Sequence, residues 1–350
     1  METFWFAAVA AMLAVYVVLD GFDLGAGVAH LLVARDERER TDVLKAIGPF
    51  WDGNEVWLIA AGGVLVFAFP RLYAASFSGF FLPLVIVLWL LMGRGIAIEF
   101  RNHLEDSAVW RPFWDTVFGV SSGLVAVFLG TALGNVVRGV PLSAEGTFFE
   151  PLFTDLRTTG ATGIVDWFTL LTGLFALLAL SLHGGLWLAL KTTGALRERC
   201  RRFARGALLG AAILGGLVCL ATWSVQPQVR LQLGAHPAGH LLTLLALGGL
   251  LGAWRFSRPG APEAWDARAF GSSCLFLAGL LGVTAFGLYP YVLPANGDPA
   301  FGLTVHNASA HVDALEMALW WWVPGIALAT VYTAFVYRRF AGRVNGRRQP

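Results

Sequence analysis

Apolar residues run in long unbroken stretches along this chain, and polar residues gather in the short gaps between them. A hydrocarbon core of ~30 Å takes about 20 residues of helix. Nine stretches qualify: roughly 4–33, 51–69, 73–98, 113–137, 163–190, 204–224, 238–255, 269–292 and 311–337. The pattern predicts an all-α integral membrane protein of about nine transmembrane helices. Residues 1–137 then carry helices one to four, 138–162 an outside loop, and 163–292 helices five to eight. Residues 293–350 carry a further outside loop, helix nine and a basic cytoplasmic tail. Shifting the chain by 163 residues lays LDGFDLGA over LHGGLWLA, so that Asp20 falls on His183 and Gly21 on Gly184. That faint repeat suggests two four-helix units plus one peripheral helix. The METFWF start has no basic residue before its apolar run, which reads as a retained first helix and not a signal peptide.

Composition agrees: 57% of residues are hydrophobic and 14% charged, which excludes a water-soluble domain. Nothing points to nucleic acid, and the lipid bilayer is the first partner. Net charge is only +2, yet 21 of 25 basic residues follow odd-numbered helices or lie in the tail. The positive-inside bias therefore puts the amino end outside and the carboxyl end in the cytoplasm, as for a multi-pass protein of a bacterial inner membrane. The segment KTTGALRERCRRFAR reads as a basic cytoplasmic loop that sets topology and touches anionic headgroups. Cys200, in that loop, and Cys219 and Cys274, in helices, have no metal or redox spacing and read as small buried hydrophobes.

Against this background Asp20 and Asp23 stand inside an apolar run, three residues apart on one helix face. Counted from Trp5, Asp20 lies about 22 Å into the membrane, in the cytoplasmic half. Helix two begins at the same side with PFWDGNEVW, bringing Trp51 and Asp52. Helix three ends there with GRGIAIEFR, bringing Arg94, Glu99 and Arg101, and helix four begins with PFWD, bringing Asp115. Four helices are thus expected to deliver charged groups to one depth. Such groups are costly in lipid and mark ion or proton routes, so the expectation is a proton path from the cytoplasm. The plainer alternatives are that Asp52 and Glu55 form a capping box, that Asp115 caps helix four, and that Asp20 and Asp23 hold a neighbouring helix. Among the histidines, only His183 is deep enough to hold a haem, with His30 the one potential partner at depth. His236 and His240 lack a third zinc ligand, so no metal site is expected.

LDGFDLGAG at 19–27, PFWDGNEVWLIAAGGVLVFAFP at 49–70, YAASFSGFFLPL at 73–84, GRGIAIEFR at 93–101, FWD at 113–115, GNVVRGVP at 134–141, LYPYVLP at 288–294 and LTVHNAS at 303–309 carry a resemblance that runs nearly end to end. The chain resembles subunit II of the cytochrome bd quinol oxidases, a group that includes cyanide-insensitive members. The resemblance implies a heterodimer with a haem-bearing subunit I, which holds haem b and haem d, with room for small accessory subunits. The complex would oxidise quinol and reduce dioxygen, with no catalytic residue in this chain, which would line a proton channel. The channel carboxylates of the family fall on Asp23 and Asp52, with Trp51 and Arg101 nearby and Glu99 where some members have aspartate; Asp20 and Asp115 complete the expected set. Some members hold a structural quinone in this subunit. Asn307 stands where members often have aspartate, so that position is given no proton role. Two other readings are a self-sufficient proton-coupled transporter and a purely structural partner of the haem subunit.

Overall fold

The computed structural model describes residues 1–103 and 109–344; Arg347 and Arg348 of the basic tail lie outside the described residues. Among the described residues the chain forms twelve α-helices: α1 Glu2–Leu32, α2 Glu37–Ile47, α3 Trp51–Ala68, α4 Pro70–Gly79, α5 Phe81–Phe100, α6 Trp110–Arg138, α7 Trp167–Lys191, α8 Gly194–Val225, α9 Pro227–Ala235, α10 Pro237–Phe256, α11 Asp266–Leu288 and α12 Val312–Arg339. A small antiparallel pair, β1 Tyr291–Leu293 and β2 Leu303–Thr304, lies between α11 and α12. Eight helices are long and apolar enough to cross a membrane, or nine if α3 and α4 count as one span bent by 120°.

The single third helix expected over 73–98 is instead two, α4 and α5, separated at Phe80. The chain leaves helical geometry at Phe69, and Pro70 opens α4. Proline suits a first helical turn, where its missing N–H costs nothing. The carbonyl of Ala68, freed by the break, accepts from the Ala310 N–H at 3.0 Å. A new helix, α5, then starts at Phe81. Another correction concerns KTTGALRERCRRFAR, which is not a loop: α8 starts at Gly194, so its arginines wind around the first turns of a helix. Cys200 is buried there, whereas Cys219 is exposed and Cys274 half-buried, so only one of the three is the buried hydrophobe expected.

α1 and α7 form the centre. They approach so closely that a Cβ on Gly25 would lie 1.9 Å from the Leu180 carbonyl oxygen, and one on Gly184 2.3 Å from the Gly25 carbonyl carbon. Around them pack α3, α6 and α11, with α5 against α6, α8 against α7 and α10 against α11. α12 touches α1 and α3 along a narrow line. Its Trp320 is 86% exposed, while Trp322 turns inward onto Trp5 with ring centres 5.2 Å apart. The end of α12 is held from the core by Lys191, whose ammonium donates to the carbonyls of Phe340 at 2.7 Å and Gly342 at 3.2 Å.

Candidate functional site

Asp20 and Asp23 lie in the middle of α1, both fully buried. Arg94, which α5 projects from its buried face, grips Asp20 with two parallel hydrogen bonds: Nη1 to Oδ2 at 3.0 Å and Nη2 to Oδ1 at 2.6 Å. The same Nη2 donates to Glu55 Oε1 of α3 at 2.7 Å. One guanidinium thus binds two carboxylates, in the fork geometry that arginine offers and lysine does not. Asp23 is held differently, with Oδ2 accepting from the Asn54 amide at 2.7 Å. That amide also donates to the Leu19 carbonyl at 3.0 Å, and its oxygen accepts from the Tyr337 hydroxyl of α12 at 3.1 Å. The other oxygen of Asp23 is buried and has no partner among the described residues.

A second polar layer lies further along the same helices. Asp115, in the second turn of α6, accepts from Arg101 Nε at 2.5 Å, Arg40 Nη1 at 2.7 Å and His30 Nε2 at 2.6 Å. Arg101 also reaches Glu37 of α2 at 2.9 Å, and Arg111 meets the same glutamate at 3.1 Å. His30 follows Asp23 by seven residues and Arg101 follows Arg94 by seven, which sets the layers about 10 Å apart at 1.5 Å per residue. Both oxygens of Asp115 are occupied by fixed donors, an arrangement suited to clamping four helix ends and not to passing a proton.

The expected convergence at one depth is therefore two layers, because charged residues a whole number of turns apart share a face but not a height. The structure places Asp20 and Asp23 in the inner layer and Arg101 and Asp115 in the outer one. Trp51 is half-buried, its ring against Gly95. Asp52 and Glu99 are exposed, with no side-chain hydrogen bond among the described residues. The capping box does not form: α3 is preceded by Phe50 without a side-chain cap, and Glu55 turns to Arg94 instead. Nor does Asp115 cap α6, which begins five residues earlier at Trp110. Glu55, Asn54, Tyr337, His30, Arg40 and Glu37 join the network unanticipated. The i, i+3 spacing of Asp52 and Glu55 was the available signal for one of them.

Residues 1–340 match the family of cytochrome bd terminal oxidase subunit II. The chain belongs to that family. A Bacillus subtilis cytochrome bd ubiquinol oxidase subunit 2 is 30% identical over 342 residues, covering 97% of this chain and 96% of its own. An Escherichia coli cytochrome bd-I ubiquinol oxidase subunit 2 is 28% identical over 376 residues, covering 97% and 94% respectively. The bd oxidase structure from Geobacillus thermodenitrificans shares the fold, with a TM-score of 0.76 at 17% identity over 97% of this chain and 98% of that one. Membership of an oxidase family removes the reading as a self-sufficient transporter, and makes this subunit a multi-pass membrane component of a terminal oxidase.

Haem belongs to such a complex, and His183 has no ring nitrogen free for its iron. His183 is buried with both ring nitrogens engaged, Nδ1 with the Ser273 hydroxyl at 2.7 Å and Nε2 with the Val18 carbonyl at 2.8 Å. Its ring stacks on Phe270 at 4.8 Å. His30 gives Nε2 to Asp115, while its Nδ1 is buried without a partner among the described residues. His236 and His240 are exposed. These bonds make His183 a crosslink between α1, α7 and α11.

At the opposite end of α6 lies a third buried cluster. Arg138 donates to Asn135 Oδ1 at 2.8 Å, to Glu150 Oε1 at 2.6 Å and to Asp166. Asp166 also opens α7 with a capping box, its Oδ1 accepting from the N–H groups of Phe168 and Thr169. Thr162 donates to Glu150 at 2.5 Å. Burial pushes the Glu150 carboxyl above the usual glutamate range, Asp166 adding to the push and Arg138 and Thr162 opposing it. The cluster pins the 139–166 loop onto the two helix ends.

Proposed function

We propose that this subunit supplies part of the cytoplasmic proton path of a quinol:oxygen oxidoreductase, alongside a subunit I that holds haem b and haem d. The oxidation of quinol, named as ubiquinol for the relatives, and the reduction of dioxygen belong to the assembled complex. The arginine-rich ends of the helices face the cytoplasm, with the amino end outside. Asp52, exposed in the first turn of α3, is the mouth of the path. Glu55 lies one turn further in, on the same face. Arg94 joins Glu55 to Asp20, and Asp23 lies beside Asp20 on the same face of α1. In this sequence Arg94 holds two of the carboxylates in place, and Asp23 keeps one oxygen free to take a proton and pass it on. Glu99 and Trp51 border the mouth, while Arg101 and Asp115 keep the helix ends together without relaying.

The observation that carries this reading is the Asp23 oxygen: buried, unpartnered among the described residues, and beside a chain of acids that leads to an exposed carboxylate. Uncompensated buried charge is costly and is retained where protons or ions must pass. In the purified complex, Asp23→Asn is expected to slow quinol oxidation tenfold or more while the haem content stays at the wild-type level. A variant that lowered assembly but left turnover per haem intact would instead support a purely structural partner.

A further inference from the structure

The ends of α8, α10 and α11 carry a local excess of positive charge. Residues 194–205, residues 254–268 and Arg343 together hold nine arginines against three carboxylates. Residues 35–47, at the same end of the molecule, hold four basic residues against four acidic ones. Part of the excess is structural. Asp266 accepts from Arg197 at 2.7 Å, Arg201 at 2.9 Å and Arg343 at 3.1 Å. Arg201 also takes the carbonyls of Phe256 and Arg258, both at 3.0 Å, which fixes the turn between α10 and α11. That turn displays the remainder: Arg255 and Arg258 lie over the Trp265 ring at 4.5 and 5.1 Å. Arg205 donates to the Trp254 carbonyl at 3.2 Å, which draws α8 against the end of α10, with Arg202 three residues earlier on α8. Arg202, Arg255 and Arg258 are exposed, and none is paired with a carboxylate among the described residues.

Directly beyond these arginines begin bare apolar faces, with Leu209 and Ile213 on α8 and Leu247 and Leu251 on α10 all exposed. Trp254, also exposed, stands at the boundary. Unpaired guanidinium groups at the end of an apolar face, with tryptophan between, match one ligand: a phosphate headgroup attached to acyl chains. We infer that this corner binds an anionic phospholipid, its phosphate among Arg202, Arg255 and Arg258 and its chains along α8 and α10. A soluble anion would use the arginines alone, and competition with glycerol phosphate separates the two.

The test is native mass spectrometry of the intact complex released from nanodiscs of mixed phosphatidylglycerol and phosphatidylcholine. The wild type is expected to retain phosphatidylglycerol in preference, and excess glycerol phosphate is expected not to displace it. An arginine near an anionic surface contributes about fivefold in affinity, so combining Arg202→Gln, Arg255→Gln and Arg258→Gln should weaken retention about 100-fold, with haem content and turnover unchanged. Should the triple variant fail to assemble, the wild-type preference and Arg258→Gln alone decide. Equal retention of the two lipids by the wild type, or a preference untouched by the variants, overturns the inference. Displacement by glycerol phosphate overturns it too, in favour of a soluble anion site.

Discussion

The first four long helices beyond α2 and α4 and the last four before α12 have the same apolar character and opposite treatment of charge. α1, α3, α5 and α6 bring acids and an arginine into the protein, with Asp20, Asp23, Arg94 and Asp115 buried and Glu55 half-buried. α7, α8, α10 and α11 keep their charged residues toward the helix ends, those of α8 running over its first three turns and a little beyond, and what they bury in mid-span is neutral, as with His183 and Ser273. Charge buried in mid-span is therefore confined to one half of the bundle. A bilayer penalises ionised groups by several kcal/mol each, and the side of the molecule that accepts this penalty is the side to which a proton path is assigned.

The sharpest way to break that contrast is to remove the cation that balances the acids. Arg94→Ala leaves the buried Asp20 and the half-buried Glu55 without their partner, and loss of one member of a buried pair costs about 3–5 kcal/mol. The yield of haem-bearing complex is expected to collapse. Close behind comes the α1–α7 crossing: Gly25→Ala puts a methyl against backbone that cannot move aside, a strain of about 1–3 kcal/mol or more, read as a lower thermal midpoint. The neutral side should be far more tolerant. Ser273→Ala removes one buried hydrogen bond to His183, worth about 1 kcal/mol, and turnover per haem should not change.

A smaller effect concerns the third cluster. Because the Glu150 carboxyl sits above its ordinary range, the folded protein binds more protons there than the unfolded chain. Stability is therefore lost as pH rises from the usual glutamate range through the raised value, and is not lost below it. Glu150→Gln should flatten that part of the thermal midpoint against pH, with little change in acid. An unaltered profile would mean that Glu150 does not titrate as its surroundings require.

How much of this was legible beforehand follows from the range of each interaction. The long spans were, because twenty apolar residues in a row have one stable fate in a bilayer. Asp20 and Asp23 were conspicuous for the same reason. What escaped were contacts between distant segments: Asn54 with Tyr337, 283 residues apart, and Asp115 with His30, 85 apart. The break at Phe69–Pro70 was marked by its proline and falls between two expected helices, whereas the one at Phe80 lies inside an apolar run that reads as one helix. The capping box at Asp52 looked correct locally and lost to a long-range partner, since a guanidinium binds Glu55 more strongly than a backbone N–H would. Asp166 and Thr169 show the converse: that local signal, unremarked, does form the capping box.

The central claim is that Asp23 passes protons taken from the arginine-rich side. The direct measurement is proton uptake from that side by proteoliposomes of the intact complex after an oxygen pulse, wild type against Asp23→Asn, with haem reduction followed in the same sample. The account predicts uptake slowed tenfold or more, with the haems reduced by quinol to the wild-type extent before the pulse. Uptake at full rate in the variant would contradict it.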